Sequence, residues 1–114
     1  MRHVALMLAV VTVGCGPSSA VTIASKQDAE TTLLAEMAVQ TLRGAGILAE
    51  HKQGWGGTPA VWQALRTGAV DAYPEYTGTI ALQILHDPSL KNESALRTAL
   101  APLGIGLTRP LGFA

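Results

Sequence analysis

Short apolar segments alternate with longer amphipathic segments along most of the chain. Residues 21–25 (VTIAS) are β-branched and apolar, which predicts a first strand. From Glu30 to Ala45, apolar residues recur at steps of three and four, which predicts a helix with Asp28 as its N-cap. The face that we expect this helix to bury consists of Leu34, Met37, Ala38, Thr41, Leu42 and Ala45.

The same alternation continues towards the C-terminus and defines the fold class. The remaining predicted strands are 47–52, 70–73 and 105–108, and the remaining helices start at the cap Thr58, run over 77–86, and extend from the cap Asn92 to Leu103. The element order is therefore β-α-β-α-β-α-α-β. Strands alternating with helices predict an α/β lobe, with a parallel sheet covered by helices on both faces.

The first residues are typical of an export signal rather than of a folded element. Arg2 precedes an apolar run of ten residues, which is too short to span a bilayer. The run leads into the sequence TVGC, which resembles a bacterial lipoprotein cleavage site with Cys15 as the acylated residue. We expect residues 1–14 to be a signal peptide and 15–20 a tether, with cleavage after Ala20 as the alternative. The protein is then periplasmic or on the cell surface, in contact with the membrane through its lipidated N-terminus.

Composition narrows the range of partners. The 114 residues include 8 Lys and Arg against 8 Asp and Glu, so no basic surplus exists to bind nucleic acid or an anionic membrane surface. With 48% hydrophobic and 14% charged residues, the chain is too apolar for a disordered segment. A single cysteine excludes a disulfide within the chain and a cysteine-based zinc cluster.

Residues that would support catalysis are few. His51 and His86 are separate, and we expect both on the surface. Asp71 and Glu75 flank a predicted strand end; carboxylates there are more often solvated, and the alternative is that they form the edge of a site. Residues 54–58 (GWGGT) lack the Gly-Lys-Ser/Thr ending of a phosphate-binding loop. The sequence therefore predicts no enzyme, no cofactor and no metal site.

Two segments that follow predicted strands have unusual chemistry. Lys26 comes directly after the first strand, and residues 73–79 (YPEYTGT) after the third bring two tyrosines and two threonines into one turn. Ligands of open α/β sheets bind outside the carboxyl ends of the strands. A lysine beside a helix N-terminus suits a carboxylate. We expect both segments to lie at the same edge of the sheet.

Four motifs make the family recognisable. Residues 23–26 (IASK), 34–37 (LAEM), 56–58 (GGT) and above all 71–79 (DAYPEYTGT) resemble the substrate-binding proteins of ABC importers for glycine betaine, choline and related quaternary amines. The resemblance covers residues 21–113. It implies half of a type II periplasmic-binding-protein fold, a quaternary ammonium ligand and an ABC permease partner.

The resemblance also implies roles for individual residues. Lys26 and Thr79 would hold the ligand's carboxylate, and Tyr76 would form one aromatic wall around its cation, which has no N–H to donate. Members of the family are more than twice this long and have two lobes. We therefore expect residues 21–114 to be the N-terminal lobe, truncated before the second. The alternatives are a remnant unable to bind ligand, and a small nucleotide-using domain.

Overall fold

A pair of parallel strands lies between helices in the structure, a computed structural model that describes residues 19–112; the predicted signal peptide and Cys15 lie outside this range. Strand β1 (Val21–Ala24) pairs with β2 (Ala49–Lys52), in a register that aligns Val21 with Ala49. Helix α1 (Ala29–Gly44) connects them. The remaining elements are α2 (Thr58–Thr67), α3 (Thr77–Thr79) with a π-helix over Ile80–Ile84, and α4 (Glu93–Leu100) with a 3₁₀ turn over Ala101–Leu103. The α/β class is confirmed.

Helices pack on both faces of β1, as predicted. Successive side chains of a strand point to opposite faces, so Ile23 packs towards α1 while Ala24 packs towards α2. A third cluster joins the π-helix to α4, and Trp62 of α2 packs against it. The buried members of the three clusters are Ile23, Ala35, Val39 and Ala49; Ala24, Val61, Ala64 and Val70; and Ile80, Ala81, Leu96 and Leu100.

Helix α1 starts where the sequence predicts but buries a different face. The Asp28 carboxylate accepts a hydrogen bond from the backbone N–H of Thr31 at 2.7 Å, which confirms the N-cap. The buried residues are Thr31, Ala35 and Val39, whereas Met37 is 53% exposed. Of the predicted face, Ala38 and Leu42 pack partly buried against the same cluster, so the buried stripe is displaced by about one position. Apolar residues surround most of this helix, so spacing alone does not select the stripe that packs on the sheet.

The predicted third strand is reduced to a single parallel bridge between Ile23 and Ala72. Next to this bridge, the Asp71 carboxylate accepts hydrogen bonds from the backbone N–H and the hydroxyl of Thr22, at 2.8 and 3.0 Å. The Asp71 side chain therefore accepts the hydrogen bond of the Thr22 N–H, which a third strand would otherwise need for its pairing with β1. Beyond the bridge, Pro74 has no N–H to continue the pairing.

The predicted fourth strand is wrong, because residues 105–108 form no strand in the structure. The guanidinium of Arg97 donates to the carbonyls of Leu107 and Thr108, the latter at 2.7 Å. The segment is therefore fixed to α4 by a side chain, and not by a neighbouring strand.

The other helix boundaries are close to those predicted. Gly57 is the N-cap of α2 and Thr58 is its first residue, so the helix begins one position earlier than predicted. The Asn92 side chain caps α4 by accepting from the Ala95 N–H at 2.8 Å, as predicted. Gly104 ends the last helical turn with a φ of 73°, a left-handed conformation that glycine adopts without strain.

Candidate ligand-binding site

The turn between β1 and α1 holds Lys26 in a fixed position. The backbone N–H of Lys26 donates to the hydroxyl of Thr31 at 3.1 Å, and this hydroxyl donates to Asp28 at 2.8 Å. Thr31 is buried, so the whole turn is fastened to the first turn of α1. Lys26 therefore leaves the carboxyl end of β1 on a rigid support.

A buried ion pair joins this turn to the segment that follows Ala72. The Lys26 ammonium lies 2.6 Å from Oε1 of Glu75, and the two side chains are only 13% and 6% exposed. The backbone N–H of Tyr76 donates to the same oxygen at 3.1 Å. The expectation that Glu75 is solvated is therefore wrong. Glu75, which is 49 positions from Lys26 in the sequence, is also the residue that brings Lys26 next to Tyr76.

The second oxygen of Glu75 has a different environment. Oε2 is buried and accepts no hydrogen bond from any group within residues 19–112. The phenol of Tyr73 lies close to the Glu75 carboxylate: burial, and then the charge of Glu75, raise the pKa of Tyr73 well above the usual range. The tyrosine therefore stays neutral at physiological pH.

Tyr76 differs from Tyr73 in exposure. Its side chain is 37% exposed at the surface of the site, whereas Tyr73 packs partly against the cluster of Ala24 and Val61. The nearby carboxylate of Glu30, to which the phenol can donate, raises the pKa of Tyr76 to about 12. Both tyrosines thus offer neutral rings, whose electron-rich faces attract cations.

An open cleft of about 530 Å³ borders these residues. The turn containing Tyr73, Glu75 and Tyr76 forms one side, and residues 105–111 form the other. Its size is within the range of small-molecule sites, about 300–1,000 Å³. Lys26 and Thr79 are not among the lining residues, although Thr77 and Gly78 are. The structure therefore places Tyr76 in the lining of the cleft. Lys26 lies outside the lining, in contact with Glu75. Thr79 also lies outside it, although its neighbours Gly78 and Ile80 belong to the lining.

A second polar network lies under the sheet and was not predicted. The Ser25 hydroxyl is 2.8 Å from Nε2 of His51, and Nδ1 of the same ring is 2.9 Å from the Glu36 carboxylate. The His51 side chain is only 6% exposed, so the expected surface position is wrong for this residue. Ser25 is fully buried, which denies a substrate access to its hydroxyl. The network therefore links the end of β1 to β2 and α1. It has the residue types of a hydrolase triad, a serine, a histidine and a carboxylate, but not the accessible serine that a triad needs.

Within residues 19–112, no group of three or more His, Cys, Asp or Glu residues is arranged to hold a metal ion. None of the helices in that range combines the length and the apolar character needed to cross a membrane.

Comparisons with known proteins point to one family. A family model described as the substrate-binding domain of ABC-type glycine betaine transport systems matches residues 19–113. The glycine betaine-binding protein YehZ of Escherichia coli (strain K12) is 40% identical over 73 residues, which cover 64% of this chain and 24% of that protein. The solved structure of apo YehZ from Escherichia coli superposes with a TM-score of 0.63 at 32% identity, covering 75% of this chain and 32% of that one. The matched part of the chain thus spans about a quarter to a third of the length of these relatives.

Proposed function

Because this chain belongs to the family of substrate-binding domains of ABC-type glycine betaine transport systems, we propose that its cleft binds a quaternary ammonium zwitterion such as glycine betaine. The bound ligand is passed to an ABC permease in the membrane. The observation that carries the proposal is the contact between Lys26 and Glu75, beside the neutral ring of Tyr76 at the edge of the cleft.

Each part of the ligand has a partner of suitable chemistry. A lysine ammonium has three N–H donors, and Lys26 uses one of them on Glu75, which leaves two for a ligand carboxylate. The half-exposed ring of Tyr76 offers its face to the trimethylammonium group, a contact of roughly 0.5–1 kcal/mol at an exposed site. Thr79 is proposed as a second donor to the carboxylate, on the strength of the Thr-Gly-Thr motif.

We also propose that this lobe provides one of two walls. The tyrosines lie on one side of an open cleft, whereas tight binding of a small molecule requires burial of most of its surface. Residues corresponding to the remaining length of the relatives would supply the second wall. The first wall alone has one exposed ring and one lysine, and their contacts fall short of the roughly 4 kcal/mol that millimolar binding needs, so we expect it to bind in the millimolar range or more weakly.

The proposal includes the location of the protein. Binding proteins of importers work outside the cytoplasmic membrane, and we propose export with anchoring through a lipid on Cys15. Cleavage after Ala20 would instead release a protein without an anchor.

Titration of the purified chain with glycine betaine, followed by NMR, tests the function. Tyr76→Ala removes the ring and should weaken binding by severalfold, while the matched Tyr76→Phe keeps the ring and should bind as the parent does. A parent chain that shows no response to betaine or choline at large excess would contradict the proposal and favour the remnant unable to bind ligand.

A further inference from the structure

Glu75 has the features of a residue that meets the ligand, and not only those of a structural counterion. Its side chain is 6% exposed, it lines the cleft, and one of its two oxygens has no partner within residues 19–112. A buried carboxylate oxygen without a partner is unfavourable. Lys26 bonds to the other oxygen, and the nearby Tyr73 phenol forms no hydrogen bond to this one, which leaves it free for a partner that enters the cleft.

The order of the charges from the cleft inwards determines which charge that partner carries. Glu75 lines the cleft, whereas Lys26 does not and lies behind it at 2.6 Å. A molecule bound in the cleft is therefore next to the carboxylate, although the Lys26 side chain is the more exposed of the two, at 13% against 6%. The other charged side chains lining the cleft are Asp71, Glu93 and Arg109, and Glu93 is paired with Arg97, so Glu75 sets the charge at its own end of the cleft. A positive group is favoured next to Glu75, and an unaccompanied negative group is repelled.

The pair also limits the net charge of the ligand. Lys26 is already neutralised by Glu75, so the site gains no net attraction for an anion from its lysine. A zwitterion brings both charges: its cation can approach the free oxygen of Glu75 while its carboxylate uses the remaining N–H donors of Lys26. A quaternary nitrogen spreads its charge over its methyl groups, so it can satisfy Glu75 electrostatically without donating a hydrogen bond.

We propose that Glu75 is a specificity-determining residue, which makes the site prefer a net-neutral zwitterion to a carboxylate of the same shape that lacks the cation. The proposal rests on the proposed function for the identity of the ligand, and it adds the residue that sets the choice between charges. Lys26 alone would not select the zwitterion, because both molecules carry the carboxylate that it binds.

A pair of isosteric probes isolates this effect. Glycine betaine and 3,3-dimethylbutanoate have the same shape, with a quaternary nitrogen in the first and a quaternary carbon in the second. Their affinities for the full chain are measured by NMR titration at constant ionic strength, because salt screens the charges being compared. The readout is the ratio of the two dissociation constants. A general loss of structure weakens the binding of both ligands by the same factor and leaves this ratio unchanged.

Glu75→Gln keeps the shape of the side chain and removes its charge. We expect it to shift the ratio at least tenfold towards dimethylbutanoate, because Lys26 then lacks its counterion and favours an anion. Glu30→Gln is the matched control, since it removes another carboxylate near Tyr76 without touching the ion pair, and it should leave the ratio within about twofold of the parent. A Glu75→Gln ratio equal to that of the parent overturns the proposal.

Two further outcomes separate this proposal from the proposed function. If Glu75→Gln does not fold, the double variant Lys26→Gln/Glu75→Gln replaces it, because it leaves no buried charge without a partner. The preference for betaine should fall in this variant as well. A ratio equal to that of the parent overturns the proposal. If the parent binds neither probe but Glu75→Gln gains dimethylbutanoate binding, the role of Glu75 stands and betaine binding fails. If no variant binds either probe, both proposals fail.

Discussion

Replacing Lys26 by methionine tests how strongly the ion pair couples the two halves of the site. The change removes the only positive charge within 4 Å of the Glu75 carboxylate in the described part of the chain, while the methionine preserves most of the apolar stem. Oε1 keeps the N–H of Tyr76 at 3.1 Å, but Oε2 remains without a partner. The buried carboxylate is then stranded.

The expected loss follows from the burial of the pair. Breaking a buried ion pair by removing one partner costs about 3–5 kcal/mol, because the remaining charge is uncompensated. Lys26 is 13% exposed, so some water already reaches the pair, and the lower end of about 3 kcal/mol is the appropriate figure. That is a large part of the roughly 5–15 kcal/mol by which a domain is stable.

Urea unfolding followed by the fluorescence of Trp55 and Trp62 measures this loss. The control is the double variant Lys26→Met/Glu75→Leu, in which no charge is stranded; we expect it within about 1 kcal/mol of the parent. A single variant as stable as the parent, or a double variant that loses as much as the single one, would refute the interpretation of a coupled buried pair.

Three further changes probe the cap, the core and the anchor. Asp28→Ala should lower the free energy of unfolding by about 1 kcal/mol, whereas Asp28→Asn should cap nearly as well. Hydrogen bonding from the backbone of Thr31 holds the pKa of Asp28 below its usual value, so the parent should lose this stabilisation as the pH falls through the folded-state pKa, and Asp28→Ala should show no such loss in urea titrations across that range. Leu96→Ala removes a side chain that is 1% exposed and should cost about 2–5 kcal/mol, against a small effect of Leu33→Ala at a position that is 61% exposed. Cys15→Ser should move the protein from the membrane fraction to the soluble fraction, and equal fractionation of variant and parent would contradict lipid anchoring.

The helices could be predicted from sequence because their signals are local. A cap such as Asp28 or Asn92 acts on an N–H three residues away, so the sequence alone contains both partners. A strand needs a second backbone segment, and the competitors for that backbone are distant. Asp71 takes the N–H of Thr22, 49 residues away, and Arg97 takes carbonyls that a fourth strand would have offered. Those contacts leave no trace in a local pattern.

The proximity of Lys26 and Tyr76 was predictable from the topology of the sheet, whereas their roles towards a ligand stay predictions. Topology brings the ends of β1 and of the bridge at Ala72 to one edge of the sheet, which places Lys26 near Tyr76. The burial of Glu75 was not predictable, because a glutamate in a turn is usually solvated. The sequence contains one signal of this burial. Glu75 lies close to two tyrosines, Tyr73 and Tyr76, whose large rings can shield a nearby carboxylate from water.

Stability and specificity meet in the same ion pair, which constrains how ligand binding can be measured. A change at Lys26 or Glu75 alters the free energy of unfolding as well as the charge offered to the ligand, so a loss of affinity alone would not separate the two effects. The ratio of two isosteric ligands does separate them, since both bind the same folded fraction. Ligand also acts back on folding: at one hundred times its dissociation constant it stabilises the folded state by about 2.7 kcal/mol. Betaine at that excess should therefore offset most of the loss caused by a stranded Glu75 if its cation reaches the free oxygen, whereas dimethylbutanoate at the same concentration would bring a second negative charge to that oxygen, bind more weakly and offset less.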